Sequence, residues 1–475
     1  MIFSPKENMA YLGLLCCLLV AGSAAPSVQS PGPVPDSTER DEQESGWSDP
    51  RRLWPEAGHP LFNPSLAVTD TAVFVAGNGD RDPEKRVGEN SLPDSINEVF
   101  DDTTRLRIRQ IGGPELSVPP GNYEMTHPFF GVTPGGLHLI WCEPDPDKLR
   151  KKRAGKNVGF LYTRVYHSRH ADGHWTPPES AIPLGRDESG RAEYFHIPVD
   201  GRGTLLAGPK GTLHLIVGRH TNPEKHGVLY SRWVPGQEAW REQSLPEFSK
   251  IKHGIRRGVS IGTIADVAVR PSGDVHLATV SAISGNPNSV LTARWPAERA
   301  EWTNQKVLWY SNDPESDRFG ADGQGVNDLT LLSDSSGTLY LLREQSLDQG
   351  ISPEAARLVV SRDGGRSWSE PFDFPLSDHF GGGFFGVLSH HAVVAPSGRL
   401  HAVFLGSGAG SDALYHAKWS ATEGWGEPLR VNNPETTLWR PDLAVGPDGE
   451  QLHLVYTRRV DGGPPEAVHR TFPLR

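Results

Sequence analysis

The stretch Leu358-Val359-Val360-Ser361-Arg362-Asp363-Gly364-Gly365-Arg366-Ser367-Trp368-Ser369-Glu370-Pro371 reads as a β-strand, a tight turn and the start of a second strand. Val359 and Val360 favour the pleated backbone, and Asp363-Gly364-Gly365 supplies the positive-φ positions that a hairpin turn needs. Ser361, Asp363 and Ser367 can bond the turn's own amides, while Trp368 has a broad face to bury beneath it. One such hairpin says little about a whole chain. Its flanking strands, however, recur.

Three strand types repeat along the sequence. An inner strand often ends in Pro-x-Gly, as after Asp266–Val269, His391–Val394 and Asp442–Val445. A second strand carries Leu-His-Leu or a relative, at His138, His214, His276, Tyr340, His401 and His453. A third reads Leu-Tyr-x-Arg-Trp or similar, as in Leu229-Tyr230-Ser231-Arg232-Trp233. A tryptophan then opens the outer strand, at Trp175, Trp240, Trp302, Trp368 and Trp425. So read, units begin near Asn63, His127, Thr204, Ile264, Val326, His390 and Arg440. The last has only three strands, and Gly46-Trp47-Ser48-Asp49-Pro50, which matches Ser367–Pro371, supplies the fourth. The expected fold is all-β: a seven-bladed β-propeller over residues 46–475, closed by its N-terminal strand. Because the histidines at 138, 214, 276, 401 and 453 fill one repeated position, packing or hydrogen bonding between blades is their expected role.

Composition agrees. The 475-residue chain holds 52 Gly and 41 Pro, with 13 Trp against 10 Tyr, which suits many short strands joined by tight turns. Its net charge of −11 excludes a surface built for nucleic acid, so an anionic ligand must meet a local basic patch. Lys6, the apolar run Met9–Val20 and the small residues Ala21–Ala25 read as a secretory signal peptide over residues 1–25. The run is shorter than the ~20 residues that span a bilayer, so no membrane anchor is expected. Residues 26–45 are Pro-, Ser- and acid-rich and read as a flexible linker. Cys142 alone remains beyond the leader, so no internal disulfide is expected, and it is taken for a buried thiol. A secreted or periplasmic monomer follows from this reading.

Chemistry belongs on the loops that approach the inner strands and join the second to the third. The segment Lys148–Lys156 has six cations in nine residues and suits an acidic polymer. At the third blade's mouth, Tyr194, His196, Arg219 and His220 flank two strands, and neither histidine occupies the repeated position. His253, Arg256, Arg257, Arg343, His390, His391 and Arg440 are further cations around the channel, suited to a carboxylate or sulfate or to ion pairs with Asp266, Asp328 and Asp442. Nothing has zinc-ligand spacing, a P-loop or a nucleophile elbow.

The Ser-x-Asp-x-Gly-x-Ser-Trp spacing at Ser361–Trp368 resembles the Asp box of bacterial-neuraminidase repeats, and the blade pattern extends that resemblance over residues 46–475. Sialidases in this group carry Phe/Tyr-Arg-Ile-Pro and six blades, whereas this chain has Phe195-His196-Ile197-Pro198. A neutral imidazole cannot replace the guanidinium fork. His196 with Pro198, and His220 after Gly218-Arg219, look like the two histidine positions of seven-bladed polysaccharide lyases such as ulvan lyases. That resemblance implies β-elimination on an acidic polysaccharide or oligosaccharide, with His196, His220 and Tyr194 catalytic. Arg219, Arg256, Arg257, Arg343, His391 and Arg440 would bind substrate. The catalytic tyrosine of those lyases has no match in blade four, which reads Thr263-Ile264-Ala265-Asp266. No cofactor is expected for the chemistry, and a structural metal ion is left open. A sialidase-like hydrolase and a glycan-binding propeller without catalysis are the alternatives.

Overall fold

Alternating apolar residues in short runs, punctuated by Pro-x-Gly turns, pair with their neighbours in sequence, because two-residue hairpins make adjacent antiparallel strands the shortest closure. In the computed structural model this produces seven antiparallel sheets in chain order. The structure describes residues 46–54, 61–80, 104–119, 126–144, 151, 162–182, 194–196, 204–220, 226–236, 239–243, 260–282, 290–299, 301–309, 325–346, 353–375, 386–408, 411–432, 437–459 and 466–474. The expected leader (1–25) and linker (26–45), and most of the cationic segment 148–156, lie outside them.

From the channel outward, blade one comprises Leu61–Val68, Val73–Asp80, Thr104–Gln110 and Glu115–Leu116. Blade two has Thr126–Thr133, Gly136–Pro144, Tyr162–Ala171 and Glu179–Ile182. Blade three has Tyr194–His196 with Thr204–Ala207, then Leu213–His220, His226–Val234 and Ala239–Gln243. Blade four has Ser260–Val269, Val275–Ala282, Val290–Trp295 and Thr303–Trp309. Blade five has Gly325–Ser333, Leu339–Ser346, Pro353–Ser361 and Phe372–Pro375. Blade six has Gly386–Val394, Leu400–Gly408 and Ser411–Ser420, with Gly424–Trp425 and Leu429–Arg430 outside. Blade seven has Thr437–Val445, Gln451–Arg459 and Glu466–Pro473, and its outer strand is Arg51–Arg52 from the other end of the chain. All seven expected blade starts fall within inner strands.

The cores lie between blades rather than within them. Seven buried clusters each fill one blade interface, for example Phe129, Ile140 and Val165 of blade two against Leu205, Leu213 and Trp233 of blade three. The ring closes with Leu53, Trp54, Leu66 and Val75 against Val455 and Ala467. Side chains on the inner strands tie each blade to the next. Asp266 accepts the amide of Leu331 at 2.8 Å, and Asp442 that of Leu66 at 2.6 Å. Thr330, not Asp328, stands level with Asp266 in blade five, since Asp266 faces Ala278 and Thr330 faces Leu342 in matching registers.

The closing strand is displaced from its expected position. Trp47 is buried against Phe472 and His416, but the strand itself follows at Arg51↔His469 and Arg52↔Val468. Amides of Ser48 and Leu53 reach Thr471 and Ala467 carbonyls on either side. The Trp-containing motif therefore makes the turn that plugs the blade, and pairing begins after Pro50. The Asp-box turn shows the same order: Trp368 packs on the interface between blades four and five, and the outer strand starts at Phe372.

That turn is held as its sequence implies. Ser367 donates both its amide (2.9 Å) and its hydroxyl (2.6 Å) to the Asp363 carboxylate, and the Gly365 amide donates to Ser361 Oγ at 2.8 Å. Against the upward push of burial, these bonds hold the Asp363 carboxyl down at about 2. Gly365 has φ of +77°, and a Cβ there would stand 3.3 Å from His276 Nδ1 of the preceding blade, so only glycine lets the turn lie this close.

The repeated histidines bond within blades, strand two to strand three, rather than between blades. His138 Nδ1 meets His167 Nε2 at 2.8 Å, His401 meets His416 at 3.0 Å and His453 meets His469 at 3.0 Å. In blade three Tyr230 takes the second place, 2.7 Å from His214 Nδ1. Blade two extends the chain at both ends, to Thr133 Oγ1 and to Glu179 Oε1. Burial, with a smaller contribution from neighbouring cations, lowers His138, His214 and His276 to about 3 and His401 to about 4. Burial, then His453 and Arg51, brings His469 to about 3.

Two predictions follow from this packing. Asp442→Ala leaves the Leu66 amide without its acceptor across the closing interface and costs about 1–3 kcal/mol; a lowered denaturant midpoint reads this, and an unchanged midpoint removes Asp442 from the closure. The neutral histidines make the fold acid-labile. Below the ordinary imidazole value of about 6.5 the unfolded chain binds protons that the folded chain refuses until pH 3–4. Stability therefore falls as pH drops through that window, by up to about 1.4 kcal/mol per pH unit for each such histidine. Thermal melts at pH 7, 6 and 5 check this; a flat Tm contradicts it.

Candidate functional site

In a blade of antiparallel strands the first-to-second and third-to-fourth turns share one end, and the second-to-third and blade-to-blade connections share the other. The described turns, such as 270–274 and 361–369, belong to the first end. Residues 145–150, 152–161, 197–203, 221–225 and 244–259 lie outside the described residues.

Every inner strand is irregular near this second end. Register shifts fall between Phe62 and Ser65, Thr126 and Phe129, Ile261 and Ala265, Val326 and Asp328, Val387 and Ser389, and Trp439 and Asp442. In blade three the irregularity is a full interruption. Thr204–Ala207 pairs with Leu213–Ile216, and Tyr194–His196 pairs with Gly218–His220, with residues 197–203 between them. The segment that carries Tyr194 and His196 is thus a short separate strand at the top of the same ladder.

The register there is specific: Tyr194↔His220, Phe195↔Arg219 and His196↔Gly218. Strand three continues it with Gly218↔Val228, Arg219↔Gly227 and His220↔His226. The side chains of 194–196, 218–220 and 226 lie outside the described residues, so this register is one of backbone pairing. Directly opposed Cα atoms in such ladders are about 4.5–5.5 Å apart, and diagonal neighbours such as 196 and 220 about 7–8 Å. In that backbone register positions 194, 220 and 226 are aligned across three strands, and position 196 lies two residues along from 194.

His226 was not singled out from the sequence. The signal was present in the repeat. Four of the five repeated histidines face a cation on strand three, His138↔Arg169, His214↔Arg232, His276↔Arg294 and His401↔Lys418, and His453 faces Thr471. Counting six residues outward from His214 and Arg232 lands on His220 and His226.

The other expected binding residues do not gather here. Arg219 pairs with Phe195 in the ladder, and its side chain is outside the described residues. Arg343 is not a rim residue: it is 3 % exposed within blade five, across from Arg357 in the ladder. Burial, then Arg357, pulls its guanidinium down to about 9 despite the Asp373 carboxylate. His391 serves the ring, accepting the Leu443 amide at Nδ1 (3.1 Å) and facing Asp442 Oδ1 from Nε2 (3.3 Å). Arg440 lies within the irregular part of blade seven's inner strand, and its side chain, like that of Cys142, is outside the described residues. His253, Arg256 and Arg257 lie outside them altogether. Among the described residues no group of acidic, histidine or cysteine side chains could hold a metal ion, and no helix is long and apolar enough to cross a membrane.

No family model and no curated protein matches the chain. Among solved structures, the chain is similar to polysaccharide lyase Uly1, with a TM-score of 0.53 at 11 % identity over 86 % of this chain and 90 % of that one. It is also similar to an ulvan lyase of a new polysaccharide lyase family, PL25, bound to -[GlcA(1-4)Rha3S]-. That match has a TM-score of 0.52 at 11 % identity, over 88 % and 95 % of the two chains. A Trypanosoma rangeli sialidase variant matches at a TM-score of 0.42 and 8 % identity, over 87 % of this chain and 54 % of that one. At such identities the likeness to the lyases establishes a shared fold.

Proposed function

We propose that this protein is an exported carbohydrate-active enzyme that cleaves a uronate-containing polysaccharide by β-elimination at the mouth of blade three. The observation that carries this reading is the backbone register that sets His196 and His220 on neighbouring strands, with position 194 directly across from position 220. The fold likeness to two polysaccharide lyases, one bound to a glucuronate–rhamnose-sulfate oligosaccharide, supports the substrate class. The apolar leader at residues 9–25 supports export to the periplasm or the medium.

The chemistry needs three acts. The C5 proton of a uronate is weakly acidic while its carboxylate remains anionic, so a donor that bonds the carboxylate must stabilise the developing enolate. A base removes the C5 proton, the C4–O bond breaks as the C4–C5 double bond forms, and an acid protonates the departing oxygen. In this reading His196 and His220 divide the first two acts, one as base and one as carboxylate donor, and Tyr194 supplies the proton. Imidazole suits the base because its ordinary pKa lies near neutrality. The cations of segment 148–156 suit the polymer's remaining charges. The His in Phe195-His196-Ile197-Pro198 removes the guanidinium on which a sialidase reading depends.

Incubated with ulvan and with other uronate polymers, the protein is expected to raise the ultraviolet absorbance of unsaturated uronates. His196→Ala and His220→Ala each lower that rate by roughly 100-fold or more with the melting transition retained. Reducing ends released without the ultraviolet band would make the enzyme a hydrolase. Polymer binding without turnover in the unaltered protein would make it a lectin.

A further inference from the structure

In four blades the repeated histidine of strand two bonds a ring on strand three at 2.7–3.0 Å. That ring always stands two residues before the position the histidine faces: His167 before Arg169, Tyr230 before Arg232, His416 before Lys418 and His469 before Thr471. In blade four His276 faces Arg294, so the same count lands on Thr292. A threonine hydroxyl stops at the γ position, well short of where an imidazole nitrogen or a phenol oxygen ends.

The shorter side chain accompanies a cavity between blades four and five, lined on the blade-five side by Gly364, Gly365 and Trp368 of the Asp-box turn. It offers about 10 Å3 to the centre of a water-sized molecule, which is room for one. His276 Nε2, Thr292 Oγ1, Arg294 Nε and Trp368 Nε1 are buried atoms of residues that line it, and none has a hydrogen-bond partner among the described residues. His276 is 4 % and Thr292 5 % exposed, so bulk water does not serve them. Buried polar groups are rarely left unpaired, because each such group costs stability.

We infer that this cavity is a binding site for a single water molecule, which stands in for the ring of the other blades and ties the Asp-box turn of blade five to blade four. The donor and acceptor balance fits water. Arg294 Nε and Trp368 Nε1 only donate, whereas the Thr292 hydroxyl and one tautomer of a neutral His276 accept. Burial, then Arg270, keeps that ring neutral by lowering it to about 3. A small anion would need all four groups to donate, close to an Asp274 carboxylate that already holds Arg294 Nη2 at 2.8 Å. The site lies at the turn end of the blades and has no part in the proposed elimination.

A crystal structure of the unaltered protein, at a resolution that shows ordered water, tests this. One density peak is expected at about 2.7–3.2 Å from at least three of the four atoms, with no anomalous signal there after a bromide soak. No peak, or a bromide peak at that position, overturns the water site. Stability gives a second reading. Thr292→Val and Trp368→Phe each remove one hydrogen-bonding group while keeping most of the shape, and each is expected to lower the denaturant midpoint. The double variant is expected to lower it by less than the two shifts added, since both groups hold the same molecule. Additive shifts overturn the shared water.

Discussion

A ring of sheets has to close, and every other feature of this structure depends on that closure. Each blade alone has two apolar faces, and water is kept from them only when a neighbour covers both. Seven interfaces must therefore be filled, including the one between the ends of the chain. Residues 47–54 fill it by lending a strand to blade seven and two aromatic plugs, Trp47 and Trp54, to the adjoining cores. The inner strands add polar ties at chosen points, with Asp442 holding the Leu66 amide across the junction.

Closure also fixes register. Each strand has its position set by two interfaces, so a one-residue slip would send every side chain to the opposite interface, where it does not fit. The blade-three ladder accordingly continues without irregularity from Leu213 to His220. The inner strand gives way instead, breaking into two pieces around residues 197–203. Among the described residues, every other inner strand also shifts register toward that same end, as between Ile261 and Ala265, while bonded turns such as 270–274 form the opposite end.

The architecture was legible because its signals recur. Pro-x-Gly turns, the Leu-His-Leu strand and the tryptophan plugs located all seven inner strands, and the short last blade pointed to the N-terminal contribution. The outer strands were misplaced by a few residues because the tryptophan is the visible marker and pairing begins after it, as at Trp47 and Arg51. The site was less legible. Arg343 resembled a channel cation, yet it occupies the position that Trp141, Phe404 and Tyr456 fill in other blades, and burial there is a matter of sheet face. His391 resembled a ligand residue, yet its ring takes part in the same inter-blade tie as Asp266. His226 was missed because five residues separate it from His220 along the chain, and only the pairing register makes their backbones neighbours.

The account of function comes down to one spatial claim: a uronate bound at the end of blade three has imidazoles from both inner strands within reach of its C5 proton and its carboxylate. A crystal structure of the protein with a uronate oligosaccharide tests this most directly. The account predicts one uronate ring over the row formed by Tyr194, His196 and His220, with a ring nitrogen of either histidine at hydrogen-bond-like approach to C5 and the other on the carboxylate. An oligosaccharide seated on another blade, or one whose carboxylate contacts neither histidine, contradicts it.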